Sequence, residues 1–301
     1  MPYNARAWKR DANTVYMAAN SSVSTVLIMK SEDKGHSFTT IAQHNFGDGY
    51  VTGFFGISGE TEDILFITLY KYNTSVSILK SVDSGLNWYK VYEVAGQFTS
   101  HPFTSYIYTS KGLLITHIAL PGGLLRILTS SDLGERFTER INYNSGISSP
   151  IVPHFFGYLE CAGDRILGPI VGSTSVSTVH RLYSLDGGLT WNVYNELYST
   201  IGYSYGAKYL RLSNGYVVLV FGANILYPRT YLVYSANEGQ SWASRDLTPS
   251  YLGAYNAISL GTTVIYQAHD NSLWSISDII SGVPTQVATS LPDRINDFIG
   301  F

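Results

Sequence analysis

Residues 184–191 read SLDGGLTW: a serine, an aspartate two positions on, a glycine two further, and an aromatic closing the octamer. The same offsets return as SEDKGHSF at 31–38, SVDSGLNW at 81–88, SSDLGERF at 130–137 and SANEGQSW at 235–242. The serines recur about every 50 residues, a period that suits radial β repeats better than helical solenoids. A catalytic constellation is normally used once per chain, whereas an element of a frame is used once per unit. The recurrence therefore assigns the octamers to the frame.

Each octamer lies between strand-like runs, TYLVYS and WASRDL around the fifth, VHRLYS and WNVYNEL around the fourth, and so reads as the turn of a hairpin. Two more such runs precede each hairpin, separated by Gly or Asn, as in GAKYLRLSNG and YVVLVFG. Each unit thus has four strands. In the turn, the short side chains of Asp33, Asp83, Asp132, Asp186 and Asn237 are placed to accept unpaired backbone N–H groups. Gly35, Gly85, Gly134, Gly188 and Gly239 suit a backbone at positive φ. Phe38, Trp88, Phe137, Trp191 and Trp242 open the last strand and pack back over the turn.

In this form and at this period, the five octamers resemble the Asp-box, or BNR repeat, of sialidase-like β-propellers. The resemblance implies turns between the third and fourth strands of each blade, on the face away from the usual ligand site. Asn237 departs from the pattern, but an amide oxygen still accepts the turn's hydrogen bonds. The stretch after Trp242 supplies a last strand for the fifth blade, then AYNAISLG, TTVIYQAHD, LWSISD and TQVATSL, a sixth blade with a degenerate box at Ser277 and Asp278. The expected fold is all-β, a six-bladed propeller of four-stranded antiparallel blades. It is read as a single domain over 1–301, with blades at approximately 1–46, 47–95, 96–146, 147–198, 199–248 and 249–301. Either ARAWKR or INDFIGF is available to close the ring.

Composition narrows the partners. Charged residues make up 14% of the 301 and aromatics another 14%, dominated by 24 tyrosines, which fits many short strands with amphipathic side chains at their ends. A net charge of −3 with no basic run argues against nucleic acid. The single cysteine, Cys161, precludes an internal disulfide and reads as a buried thiol. The start of the chain, MPYNARAWKRDAN, has no apolar signal core, and GYVVLVFGANILY is too short and broken to span a bilayer, so no membrane insertion is expected. Localisation is otherwise unassigned. The Ser-, Tyr-, Gly- and Asn-rich texture is similar to that of bacteriophage virion proteins that touch a host surface.

If the octamers are frame, function belongs to the opposite loops, the inter-blade connectors and the turns between second and third strands. Candidate ligand-binding residues there are Tyr50, His101, His154, Tyr205, Tyr255, Arg229, Arg294 and His269, with Tyr70 and Tyr72 in the second set of loops. His44, His117 and His180 are placed on or towards the same face. No two histidines have a local ligand spacing such as H-x-x-x-H, and the boxes carry too few acids for repeated calcium loops, so no metal or other cofactor is assigned.

An enzyme of the sialidase kind needs an arginine triad, a Tyr/Glu nucleophile pair, an Asp acid/base and an F/Y-R-I-P signature, and none is recognisable. Arg6 in NARAWKR stands at about the right place without the I-P, and DRIL at 164–167 falls in the wrong blade. Glycosidase chemistry needs two carboxylates about 5–9 Å apart, for which Asp48, Asp270, Asp293 and Asp297 are the candidates, with Glu196 beside them. The expected function is a non-catalytic recognition module for a glycan or a host-surface protein. The alternatives are a divergent sialidase-like hydrolase or lyase, and an architectural subunit that uses one face for assembly.

Overall fold

Every octamer closes a hairpin in the structure, a computed structural model that describes residues 5–22, 24–47, 49–96, 103–120, 124–144, 157–172, 179–195, 204–223, 229–247, 254–268 and 272–288. The strands pair antiparallel in chain order into six four-stranded sheets. The first holds β1 (Ala5–Lys9), β2 (Val15–Asn20), β3 (Thr25–Ser31) and β4 (Thr39–Asn45). The second holds β5 (Tyr50–Ile57), β6 (Ile64–Lys71), β7 (Ser75–Ser81) and β8 (Tyr89–Ala95). The third holds β9 (Phe103–Tyr108), β10 (Leu114–Leu120), β11 (Leu124–Ser130) and β12 (Thr138–Asn144). Next come β13 (Leu159–Glu160), β14 (Ile166–Gly172), β15 (Val179–Ser184) and β16 (Asn192–Asn195), then β17 (Ser204–Arg211), β18 (Val217–Ala223), β19 (Arg229–Ser235) and β20 (Ala243–Asp246). The sixth sheet holds β21 (Ala254–Leu260), β22 (Thr263–Ala268), β23 (Leu273–Ile276) and β24 (Thr285–Ala288).

The first three sheets form one compact unit and the last three another. In the first unit, Tyr16, Ala18, Val26 and Ile28 pack on Phe54, Leu65, Ile67 and Leu79 of the second sheet. The other face of that sheet, through Phe66, Tyr70, Val76 and Ile78, packs on Leu114, Ile118 and Leu128 of the third. Burial on both faces explains why β6 reads as a nearly unbroken apolar run rather than an alternating one; β7 is buried throughout as well, although Ser75, Ser77, Lys80 and Ser81 interrupt its apolar residues. The fifth sheet is the counterpart in the second unit: Val217, Leu219 and Val233 meet Leu167, while Val218, Val220 and Leu232 meet Val264, Tyr266 and Ile276. Cys161 lies in the first of these clusters, and burial, reinforced by the neighbouring Glu238, pushes its thiol up to about 12.

The octamers lie between the third and fourth strands of the first five sheets, and their geometry repeats. The serine is the hub. Ser81 is fully buried; its Oγ donates to Asp83 Oδ1 at 2.7 Å and accepts from the Gly85 N–H at 2.8 Å. Asp83 then accepts the Asn87 amide N–H at 2.8 Å, and the Trp88 indole donates back to the Gly85 carbonyl at 3.0 Å. Ser184, Asp186, Thr190 and Trp191 repeat the set. In the fifth octamer Asn237 Oδ1 takes the aspartate's part, accepting from Ser235 and from the Ser241 N–H at 2.9 Å.

Two consecutive residues in each turn have positive φ, the expected glycine and the residue before it: Lys34 (65°), Ser84 (56°), Leu133 (56°), Gly187 (71°) and Glu238 (56°). The N–H of this preceding residue donates to a carbonyl between the first two strands of its own sheet in three cases, Lys34 to Asn13, Ser84 to Asp63 and Gly187 to Asp164. Each of these turns is thus stitched to its neighbour as well as capped. At the sixth position, between β23 and β24, Asp278 accepts the Ile280 N–H at 2.9 Å and the Ser281 hydroxyl, while Ser277 stays exposed and serves no hub.

These hydrogen bonds favour the charged carboxylates. The Ser31 and Ser130 hydroxyls are the largest influences holding Asp33 and Asp132 below the usual range. At Asp83 and Asp186 burial is the largest single influence and works the other way. It is outweighed by the bonds from Asn87 and Ser81, and from Thr190 and Ser184, so that Asp186 comes to about 2. A carboxylate depressed in the folded state stabilises it above the unfolded pKa and loses that effect as pH falls through the folded value. Melting temperature is therefore expected to be flat above about pH 5 and to fall most steeply between about pH 4 and 2. In Asp186→Asn, which copies the fifth octamer, the fall should be shallower; an unchanged acid limb in a scan of melting temperature against pH would count against this assignment.

Candidate functional site

Consecutive antiparallel strands send their first and third turns to one side of the sheet and their second turn and outgoing connector to the other. The octamers occupy the first side, so the expected site lies on the second. Asp48, Asp270, Asp293, Asp297, His101, His154, His269, Arg294 and the strand expected at INDFIGF lie outside the described residues. Tyr205 is the second residue of β17, opposite Gly222; Arg229 opens β19 opposite Ala223; and Tyr255 stands at the register shift early in β21.

Side chains of this rim are described on the first two sheets. Tyr50 opens β5 directly opposite Tyr70 of β6. Tyr70 is buried and Tyr72 is 59% exposed, their rings edge-on with centroids 6.5 Å apart. Burial first, then the neighbouring Tyr72 and Tyr50, raise the Tyr70 hydroxyl above its ordinary pKa. The turn carrying Tyr72 is fixed by the Thr74 N–H on the Lys71 carbonyl at 3.1 Å, the Thr74 hydroxyl on the Tyr72 carbonyl at 3.0 Å, and Asn73 at φ 51°. The connector beside it is held by Asn20, fully buried, which donates to the Gly49 carbonyl at 2.9 Å and accepts the Val51 N–H at 2.8 Å. Lys71 runs along this connector: a Cβ added at Gly47 would stand 3.4 Å from its Nζ. The result is one exposed aromatic ring seated on a buried one.

Two histidines expected here are used elsewhere. His117 sits in the middle of β10, fully buried, and burial pushes its imidazole down to about 3, so it is neutral and does not reach the rim. His44 stacks on Phe46 at 5.4 Å and donates from Nε2 to the Gly85 carbonyl at 3.0 Å, so its ring is taken up by the neighbouring sheet's octamer. Arg6, at the position compared with a sialidase arginine, donates to the Thr52 and Ala5 carbonyls.

The octamer side holds an arrangement the sequence reading missed. A half-open cavity of about 450 Å³ is lined by Arg10, Tyr16, Lys30, Glu32, Asp63 and Ser84, among others. Its charges are mutually satisfied: Arg10 Nε lies 2.8 Å from both oxygens of the buried Asp63, and Lys30 Nζ lies 2.6 Å from Glu32. Arg10 and Asp63 are 53 positions apart and belong to adjacent sheets, so no local pattern announces the pair. Lys80 with Glu135 at 2.5 Å, and Arg245 with the Gly282 carbonyl at 2.7 Å, make similar links between adjacent sheets, and this side reads as clamps. Among the described residues, no group of three or more His, Cys, Asp or Glu could hold a metal ion, and no helix is long and apolar enough to cross a membrane.

No protein-family model matches the chain, and no curated protein matches it by sequence. Solved structures do match in shape. YCF48 bound to the D1 peptide is 11% identical, covering 95% of this chain and 86% of its own, with a TM-score of 0.60. An ulvan lyase of polysaccharide lyase family PL25, bound to -[GlcA(1-4)Rha3S]-, is 10% identical over 92% of this chain and 81% of its own, at 0.57. The lectin SapL1 in complex with alpha methyl fucoside is 12% identical over 97% of both chains, at 0.54. Likenesses at this identity carry the fold alone, and with six four-stranded antiparallel sheets that fold is an all-β, six-bladed β-propeller.

Proposed function

We propose that this chain is a propeller of the Asp-box type, a single body of six blades that acts as a non-catalytic recognition module and takes a glycan or a protein surface on the connector rim. The observation that carries the reading is Tyr72: a large aromatic, 59% exposed, held edge-on against a buried tyrosine in a hydrogen-bonded turn. A ring fixed in advance loses little entropy on stacking against a sugar or a partner side chain. Propellers of this shape include a lectin, a polysaccharide lyase and a peptide binder, which fits either partner class. The sialidase arginine triad and signature are not recognisable in the sequence, which favours binding over hydrolysis. The polar, tyrosine-rich composition suits a host-surface partner and a virion setting.

A glycan array, run beside a panel of chromogenic glycosides, tests the reading. Binding without turnover is expected, and Tyr72→Ala should weaken it by roughly tenfold or more while leaving the melting temperature unchanged, since the ring contributes contact rather than core. Turnover of any glycoside, or binding indifferent to Tyr72, would refute it.

A further inference from the structure

One clamp of the octamer side is filled between the second and third sheets and left open between the first and second. Lys80 immediately precedes the second octamer and stands opposite Tyr89 in the register of β7 and β8. Glu135, the sixth residue of the third octamer, meets its ammonium at 2.5 Å and accepts the Tyr89 hydroxyl at 3.0 Å. Lys30 holds the same place before the first octamer, opposite Thr39 of β4. The sixth residue of the next octamer is here Leu86, which carries no charge, and Thr39 has neither the reach nor the volume of a tyrosine. In place of a filled junction there is the cavity of about 450 Å³ bordered by Lys30, Ile41 and Leu86. A second of about 530 Å³ shares Lys30 and Ile41 with it and extends to Thr39.

The charges of this cavity are unequally committed. Asp63 is buried, and both its oxygens are held by Arg10 Nε at 2.8 Å. Lys30, with its side chain 32% exposed against 2% for Lys80, turns back to Glu32 of its own octamer, which is 73% exposed. A pair so open to water contributes little and is readily exchanged for a better one. The ring of the buried Tyr16 lies under the ammonium, 5.8 Å from centroid to Nζ, and Ile41 and Leu86 supply an apolar wall. The first junction thus keeps the cation of the clamp and lacks the carboxylate that the next octamer supplies one sheet further on.

We infer that this cavity takes a small carboxylate with an apolar body. Its carboxylate pairs with Lys30 as Glu135 pairs with Lys80, and its body lies against Ile41 and Leu86 in the space that Tyr89 helps to fill at the next junction. Such a ligand completes a clamp between the first two sheets, so the site serves the frame and is independent of recognition at the rim.

The test is thermal unfolding of the full chain with benzoate, and with benzamide as its neutral counterpart, at matched ionic strength. At about 20 mM, benzoate should raise the melting temperature by roughly 2 °C more than benzamide does. Lys30→Gln should abolish the difference, whereas Lys90→Gln, at an exposed lysine paired with Glu93, and Tyr72→Ala at the rim should both preserve it. Leu86→Glu, which gives the second octamer the carboxylate of the third, should raise the melting temperature without ligand and remove the response to benzoate. Equal shifts with benzoate and benzamide, no shift with either, or a benzoate response that survives both Lys30→Gln and Leu86→Glu would overturn the inference.

Discussion

Gly134→Ala is expected to destabilise the chain by about 3 kcal/mol, whereas Gly187→Ala, one octamer later, should cost only about 1 kcal/mol. Both glycines have positive φ, 82° and 71°, so both substitutions strain the backbone. They differ in what a methyl group meets. At Gly134 it would lie 2.3 Å from Phe66 Cε1 and 2.6 Å from Cζ; Phe66 is fully buried in the core between the second and third sheets and has nowhere to retreat. At Gly187 nothing lies within 4 Å, and the other octamers already carry Lys34, Ser84, Leu133 and Glu238 at the same place. Urea unfolding of the two variants measures the difference. Equal losses would mean that the turn glycine serves the backbone alone and that the octamer does not dock against the neighbouring sheet.

Ser81→Ala should cost about 2 kcal/mol, with Ser277→Ala near zero. The Ser81 hydroxyl is fully buried and makes a 2.7 Å bond to Asp83 and a 2.8 Å bond from the Gly85 N–H. Alanine leaves a buried donor unpaired and strips one hydrogen bond from a carboxylate. In the sixth turn the position two before the aspartate is Ile276, and Ser277 directly precedes Asp278; there Asp278 caps the backbone unaided, and Ser277 is exposed. A denaturation midpoint for Ser81→Ala close to that of the parent chain would show that aspartate and glycine suffice and that the serine is incidental.

The octamers were legible because they repeat: five copies at even spacing identify a turn, a hairpin and a four-stranded unit without reference to any distant contact. What each residue does within the turn was only partly legible. The aspartate and glycine have familiar turn chemistry, but the serine's part as hub depends on burial that the octamer alone does not state. The left-handed residue before the glycine is Lys, Ser, Leu, Gly or Glu, a set with no common preference, because the conformation is imposed by the cap and, at Lys34, Ser84 and Gly187, by the stitch to the adjoining turn. Contacts between sheets were the least readable. Arg10 and Asp63 meet across 53 residues, and the positions of His117 and His44 along the chain point to the rim, whereas the directions of their side chains follow from strand register and neighbour packing. At the rim, tyrosines at 50, 70 and 72 could be picked out, but not which would be buried and which exposed.

The central claim is a division of labour, with octamers as frame and recognition at the opposite rim. A crystal structure of the chain soaked with a saccharide that binds on the array tests it most directly. The account predicts a sugar ring on the face of Tyr72, and octamer hydrogen bonds unchanged. A saccharide seated instead in the cavity between Arg10, Lys30 and Asp63, or bonded to Asp83 or Asp186, would contradict it.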